Sequence, residues 1–589
     1  RGNPTTITRL GVTSTAAYDI TGVVRTATGG GTSAELTPSM NNMVPGIIKP
    51  NGNATLQETL TYNDSLQTTQ AQGPNGATES RTYTATARPD SVTDAQGKVT
   101  RFTYDDAAGV VTATVEGWIY MYGVYWRPWT KTYSDSFGRT VRLEKGQELS
   151  GGGNLTVSVT LSVYEPCACN PLGKLKKISL PHAPSDTPVW TEYTYDSLGR
   201  TVSTSHAGIA QPTTTLYGLA SSSNPQRFRV KSTDPAGKWK EYQSNGLGEL
   251  VRVVEPNPAS GEWETNYSYN ALGKLTEVSM PRGLVTQTRT FVYNANGQLT
   301  STTNPENGQT SYTYHGSGKL ATKIDAKANK EQYSYDALAR LTSVHRYINV
   351  TTLDGVDYFY YDTTPGGVGY SQNAAGRLTQ RRTAMTKDAS NQDMQFIEDF
   401  SYTVSGLVAK KQLTVFKSTS QGSRQASLEA QFGYNSYGSL LSMIYPSSHV
   451  PAGGGVYNLV AGPAANYGYD PQYRLFSLTL GGQSVVTSAS YNVAGQLQQL
   501  NWDGWTEDRW YNTAGQMWKQ QIKAGSTVIG GWEYYFHPTQ NNGRITGAKD
   551  LQSLEEIEYE YDALNRLVNA EKTGRSEERR VGKECRSRW

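Results

Sequence analysis

An all-β chain assembled from one recurring hairpin is what this sequence predicts, and three observations predict it. The first is self-similarity. From Tyr267 to Leu341 the chain contains YSYNALGKLTEVSM, FVYNANGQLTSTTN, YTYHGSGKLATKID and YSYDALARLTSV. Each phrase has two aromatics one residue apart, then Asp, Asn or His, two variable residues, usually Gly, a polar residue and Leu. The lead tyrosines Tyr269, Tyr293, Tyr314 and Tyr335 are spaced 24, 21 and 21 residues apart, a period that marks a repeat architecture. The second observation is composition: 39 Tyr against 11 Phe, 59 Gly, and 18% charged residues, below the ~25% usual in globular chains. The third is that no long stretch shows the 3.6-residue apolar spacing of a helix.

Each phrase has the chemistry of a hairpin. In EYTYDSLGRTVSTS, Tyr193 and Tyr195 leave the same face of a strand. Asp196 opens a type I turn by accepting a backbone N–H. Gly199 then takes the left-handed conformation that a Cβ resists. A type I turn followed by such a residue is the common three-residue loop with a G1 bulge. The return strand is rich in Thr and Val, which suit a pleated surface. A lone hairpin is marginal in water, so successive hairpins pair edge to edge and stability sums over neighbours. Neighbouring strands rotate by roughly 20–25°, so a long strip coils.

The phrases Tyr195-Asp196-Ser197-Leu198-Gly199-Arg200 and Tyr335-Asp336-Ala337-Leu338-Ala339-Arg340-Leu341 resemble the YD repeat of RHS-type proteins. The structural positions that carry the resemblance are Tyr195, Asp196, Gly199, Arg200, Tyr269, Gly273, Leu275, Tyr293, Gly297, Leu299, Tyr314, Gly318, Leu320, Tyr335, Asp336 and Leu341. Later copies add Tyr491, Gly495, Leu497, Tyr511, Gly515, Tyr561, Asp562 and Leu567. Tyr18, Tyr104, Tyr133, Tyr242, Tyr402, Tyr434 and Tyr469 also read as lead tyrosines, so the resemblance covers nearly the whole chain. It implies a β-strip wound into a hollow shell. In bacterial toxin complexes and RHS effectors such a shell encloses a C-terminal toxin; in animal teneurins it is an extracellular adhesion module.

In chain order, residues 1–190 read as degenerate repeats and 191–570 as clearer ones, together one shell segment over 1–574 that is incomplete at both ends. Gly29 to Pro50 reads as loop. Trp118 to Trp129 (WIYMYGVYWRPW) reads as a strand pair packed in the shell, with a sugar- or partner-binding platform as the alternative. Tyr358 to Leu378 is a repeat with a longer Gly-rich tip, Met385 to Phe400 a polar insertion, and Tyr445 to Asn466 a protruding Pro/Gly loop. The start lacks an initiator Met and an apolar leader. Strand edges exposed by truncation invite aggregation, so the isolated chain is expected to express poorly.

Residues 575–589, RSEERRVGKECRSRW, break the pattern and resemble the translation of a sequencing-library adapter; they are set aside as a non-native tail. The tail holds six of the 54 Lys/Arg and three of the 51 Asp/Glu, so the rest carries no formal net charge. Charge is then no argument for nucleic acid or membrane, and no apolar run is long enough for a spanning helix.

No catalytic, cofactor or metal constellation stands out. The GK pairs at Gly97, Gly173, Gly237, Gly273 and Gly318 lack the rest of a phosphate loop, and there is no GxSxG or HExxH. His315 replaces a turn Asp. Cys167 and Cys169, with His182 and His206 nearby, lack zinc spacing. On an extended strand their Cα atoms lie near the limit of disulfide reach, so they are read as free or packed cysteines. The expectation is a non-enzymatic shell segment of a secreted or cell-surface bacterial protein. Its partner is its own C-terminal effector, absent here; an adhesion or carbohydrate-binding repeat protein, contacting cell-surface glycan or protein, is the alternative.

Overall fold

The computed structural model describes residues 5–9, 12–19, 22, 24–29, 32–40, 43–117, 119–121, 124–221, 224–365, 369–387, 392–419, 422–453 and 456–573. Trp118 and the 575–589 tail lie outside the described residues. Forty-seven of the strands form one antiparallel sheet. It is a meander: Glu262–Tyr269 pairs with Leu275–Arg282, which pairs with Val285–Tyr293, and so along the chain. Among the described residues the one helical element is a 3-10 turn at Ala54–Leu56. Thr- and Tyr-rich segments with Gly or Asp/Asn every ten residues leave no room for a longer helix.

The strip has no single core. Its accessible surface is 34148 Å², whereas a compact monomer of 64.5 kDa would expose about 20,000 Å². The difference is that of a wall one sheet thick. Its buried apolar residues are strung out from Leu56 through Trp129, Val159, Val253 and Val356 to Ala548, and buried polar residues such as Thr265, Thr310 and Thr379 lie between them.

The strip winds back on itself. Asn51 bonds Ala337 O, 286 residues on. Asn75 meets Ala375 across 300 residues, Gln147 meets Gln472 across 325, and Asp234 meets Asn542 and Asn565 across 308 and 331. Both members of each pair advance together along the chain. That is the signature of two stacked coils, each of about 300 residues, whose hairpin turns touch along a seam.

Three expectations about local structure are corrected. The segment from Gly29 to Pro50 is not loop: it holds strands Thr32–Ser39 and Val44–Pro50. Its prolines are accommodated where Pro38 faces Pro45 across a register irregularity, the place a sheet tolerates them. The segment from Met385 to Phe400 includes most of strand Asp393–Tyr402, because Phe396, Ile397 and Phe400 supply strand-forming side chains within its polar composition. The segment from Tyr445 to Asn466 holds a small hairpin of its own, Ser448–Gly453 against Val456–Val460, outside the main sheet, and ends in the main-sheet strand Ala464–Tyr469. In the described part of the Trp118 to Trp129 run, Ile119–Met121 pairs with the start of Val124–Ser134 within the wall.

Candidate functional site: the turn network and the seam between coils

The turn built by Asp196 shows the unit. Gly199 N–H donates to Asp196 O at 3.0 Å, and Asp196 N–H donates to Arg200 O at 3.0 Å. The carboxylate oxygen Oδ1 accepts from Leu198 N and Arg200 N at 3.0 and 2.9 Å. Gly199 has φ +79°. Ala339 holds the same place at φ +59° and Asn565 at φ +63°. The network around the Asp therefore imposes the left-handed residue even where a Cβ resists it.

Past the turn, every clear repeat carries a second irregularity. Ser268 faces Glu277 while the next residue, Tyr269, faces Leu275, so Thr276 is extra. The same slip follows Tyr293–Leu299, Tyr314–Leu320, Tyr335–Leu341, Tyr491–Leu497 and Tyr561–Leu567. A bulge tightens local twist, so its repetition gives the strip a regular coil. The carbonyl just before the bulge receives the hydroxyl of the next lead tyrosine. Tyr314 donates to Leu299 O, Tyr511 to Leu497 O, Tyr491 to Leu475 O, Tyr195 to Leu175 O and Tyr561 to Ile545 O, at 2.6–2.9 Å. Each tyrosine ties its own hairpin to the one before. Tyr402→Phe should cost about 1 kcal/mol through loss of its 2.7 Å bond to Leu378 O. Tyr293→Phe, with no such hydroxyl bond, is the control in urea unfolding.

Arg200 Nε bonds Asp196 Oδ2 at 2.7 Å, and its guanidinium lies 4.4 Å from the ring centre of Tyr217 in the following strand. Arg340 joins Asp336 in the same way and lies 4.4 Å from Tyr361; Arg474 joins Asp470 and lies 4.5 Å from Tyr491. Where Asn opens the turn, Gln usually replaces Arg. Asn294 Nδ2 donates to Gln298 Oε1, and Gln298 Nε2 donates to Gly318 O in the next turn. Asn492–Gln496 and Asn63–Gln67 repeat this. Asn245–Glu249, Asn270–Lys274 and Asn435–Ser439 depart from it. The pairing is legible in the sequence as YDxxGR against YNxxGQ, and single-position reading missed it. His315, in the Asp place, bonds Tyr333 O through Nε2 and meets Tyr335 edge-on.

The Arg200 and Arg139 bonds hold the carboxyls of Asp196 and Asp135 below the ordinary range. A depressed carboxyl stabilises the fold above its unfolded value, about 3.9, and that contribution disappears as pH falls through the folded value. Acid unfolding should therefore begin below about pH 4 at these turns. Backbone-resolved amide exchange against pH would show it; loss of turn protection already at neutral pH would contradict it.

The seam is polar. Asn75 Nδ2 donates to Ala375 O at 2.8 Å, and Ala375 N donates to Asn75 Oδ1 at 3.0 Å, an amide clamped on a peptide group. Asp234 Oδ2 accepts from both Asn542 Nδ2 and Asn565 Nδ2, at 2.9 and 3.0 Å. Asn75→Ala should cost about 1–2 kcal/mol and raise amide exchange at residues 373–377, leaving hairpins away from the seam protected.

The structure places three sequence-assigned lead tyrosines elsewhere: Asp105, facing Val110, holds the position before its turn and Tyr104 lies one residue earlier. Ser134 and Ser244 hold the position before the turn, facing Thr140 and Leu250. Tyr133 and Tyr242 sit one and two residues earlier, because YSDSFGR and YQSNGLG carry extra residues between Tyr and the turn. Tyr164 is a lead tyrosine that was missed: it faces Leu175, and Arg139 lies 4.4 Å from its ring. A five-residue tip insertion, which contains the cysteines, hid it.

Cys167 and Cys169 are disulfide-bonded, with Cα atoms 5.1 Å apart; the reading of free or packed cysteines is corrected. Cys167 ends the strand Asn154–Cys167, whereas Cys169 is in the turn before Asn170. The turn shortens the span that an extended strand would keep. His182 and His206 bond Ala183 O and Thr191 Oγ1 instead. Among the described residues no three His, Cys, Asp or Glu side chains are grouped to hold a metal.

Coil, turn and seam define a class, a one-sheet wall of tandem β-hairpins. The family model for the RHS repeat matches residues 293–330. A search of curated proteins finds no match. The fold is similar to that of the Photorhabdus luminescens Tc holotoxin pore with a substituted TccC3, at TM-score 0.72 and 14% identity over 95% of this chain. It is also similar to TcdB2-TccC3-TEV, at 0.71 and 13% over 95%, and to TcdB2-TccC3 without its hypervariable C-terminal region, at 0.63 and 12% over 92%. The chain spans 33% of the length of each.

Proposed function

We propose that this chain is a non-enzymatic stretch of the wall of a secreted or cell-surface bacterial shell that encloses a C-terminal effector polypeptide and helps deliver it. Residues 1–574 would form one segment of that wall, with 575–589 foreign to it. The observation that supports the reading is a one-sheet strip that winds back on itself in stacked coils joined by a polar seam. A wall of that kind encloses volume at low mass and leaves no compact core for a catalytic cleft. The full reading frame, expressed and imaged by electron microscopy, should show a closed shell, and its downstream segment should resist protease until the shell is denatured. A downstream segment cleaved as fast as an unfolded chain would refute enclosure.

A second reading, adhesion or glycan recognition, rests on half-exposed Trp505, Trp510 and Trp518 on adjacent strands. Exposed aromatic rings suit sugar faces. Glycan-array binding lost in Trp505→Ala would favour it, and a blank array would count against it.

A further inference from the structure

We propose that the Cys167–Cys169 cystine is a thiol–disulfide exchange site, reduced by low-molecular-weight thiols. Three features of its setting converge. The bond closes a loop between residues only two apart, and so short a loop constrains the unfolded chain least. It sits on an inserted tip beyond the Tyr164–Leu175 pair, flanked by exposed Glu165, Pro166 and Ala168, so a small thiol has access. The Lys174 side chain lies on one side of it, with Glu165 facing Lys174 across the hairpin. A Cβ placed on Gly199 would lie 3.1 Å from Lys174 Nζ and 3.5 Å from Cys169 Cβ, so the ammonium and Cys169 converge on one point of the neighbouring turn. Arg139 binds the carbonyls of Leu172 and Gly173 on the same tip.

The chemistry follows from that placement. An external thiolate attacks Cys167 Sγ, the S–S bond breaks, and Cys169 leaves as a thiolate beside the Lys174 ammonium. A second thiolate attacks the external sulfur of the mixed disulfide and releases Cys167 as its thiolate. Two external thiols are oxidised to one disulfide, the protein cystine gains two electrons, and the protein thiolates take up protons according to pH. A cation beside the leaving sulfur lowers its thiol pKa and speeds departure. Reduction frees a tip that abuts the Asp196–Gly199 turn, where Lys174 also bonds Gly199 O.

The test uses the whole folded chain, reduced glutathione at millimolar concentration and neutral pH, alkylation, and peptide mapping by mass spectrometry. Cys167 and Cys169 should stay unlabelled without glutathione and label together, without denaturant, once it is added. Lys174→Met should slow that labelling about threefold, the effect of roughly one unit in the leaving thiol's pKa at a Brønsted slope near one half. Labelling of both cysteines before any thiol is added overturns the proposal, as does labelling that appears only in denaturant. An unchanged rate in Lys174→Met overturns the assignment of Cys169 as leaving group.

Discussion

Truncating Trp129 to alanine is expected to lower the unfolding free energy by about 3–5 kcal/mol, the largest single-residue effect in the first coil. The side chain is 4% exposed in a wall where most aromatics are half-exposed. Its indole lies over Gly146 on the neighbouring strand, where an added Cβ would collide with the ring and with Leu155 O. Trp129 faces Gly146 directly in the strand register. Lys131 Nζ stands 4.7 Å from the ring centre. No side chain at 146 can move in to fill the vacated volume, so the cavity term stays uncompensated. Chemical unfolding of Trp129→Ala against Trp505→Ala decides it. Trp505 is 40% exposed, so its truncation should cost far less. Equal losses would mean that the wall relaxes around Trp129.

Arg340→Ala is expected to cost about 2–3 kcal/mol, more than any other turn residue. Arg340 bonds Asp336 Oδ2 through Nε at 2.7 Å and both oxygens of Asp362 at 3.1 and 2.8 Å. Asp362 also accepts Gly376 N–H at 2.6 Å. Burial raises the Asp362 carboxyl, and Arg340 together with the Gly376 N–H more than offsets this, so the net position lies below the ordinary range. Alanine would strand two carboxylates without their cation, and the uncompensated partner is what makes such losses large. Arg200, which joins a single Asp, is the comparison. Arg340→Ala should lose more stability than Arg200→Ala by urea unfolding, and Arg340→Lys should recover part of it. Indistinguishable losses would refute the two-carboxylate account.

The hairpin period, the turn chemistry and the all-β class were legible because each is local. Asp196, Gly199 and Arg200 interact within four residues, so spacing alone exposes the unit. The seam was not legible. Asn75 and Ala375 are 300 residues apart, and nothing in either residue type names its partner. The bulge after Tyr269 was hidden because Thr276 looks like any strand threonine. The exchange of Asp–Arg for Asn–Gln stood in the sequence throughout, as in Asp196–Arg200 against Asn294–Gln298, but only comparison of whole phrases shows it. The cysteine reading failed on a conformational premise: Cys169 was placed on a strand and lies in a turn.

The seam also sets how such a wall would yield under force. Hairpin joins to hairpin along the ribbon by continuous strand ladders, but coil joins to coil by separate side-chain contacts, amide and carboxylate bonds such as Asn75–Ala375 and Asp234–Asn565 and cations over rings such as Arg566 over Trp263. Water can replace the amide and carboxylate bonds one for one. Pulled from one end, the ribbon would therefore unspool a coil at a time before any hairpin melted.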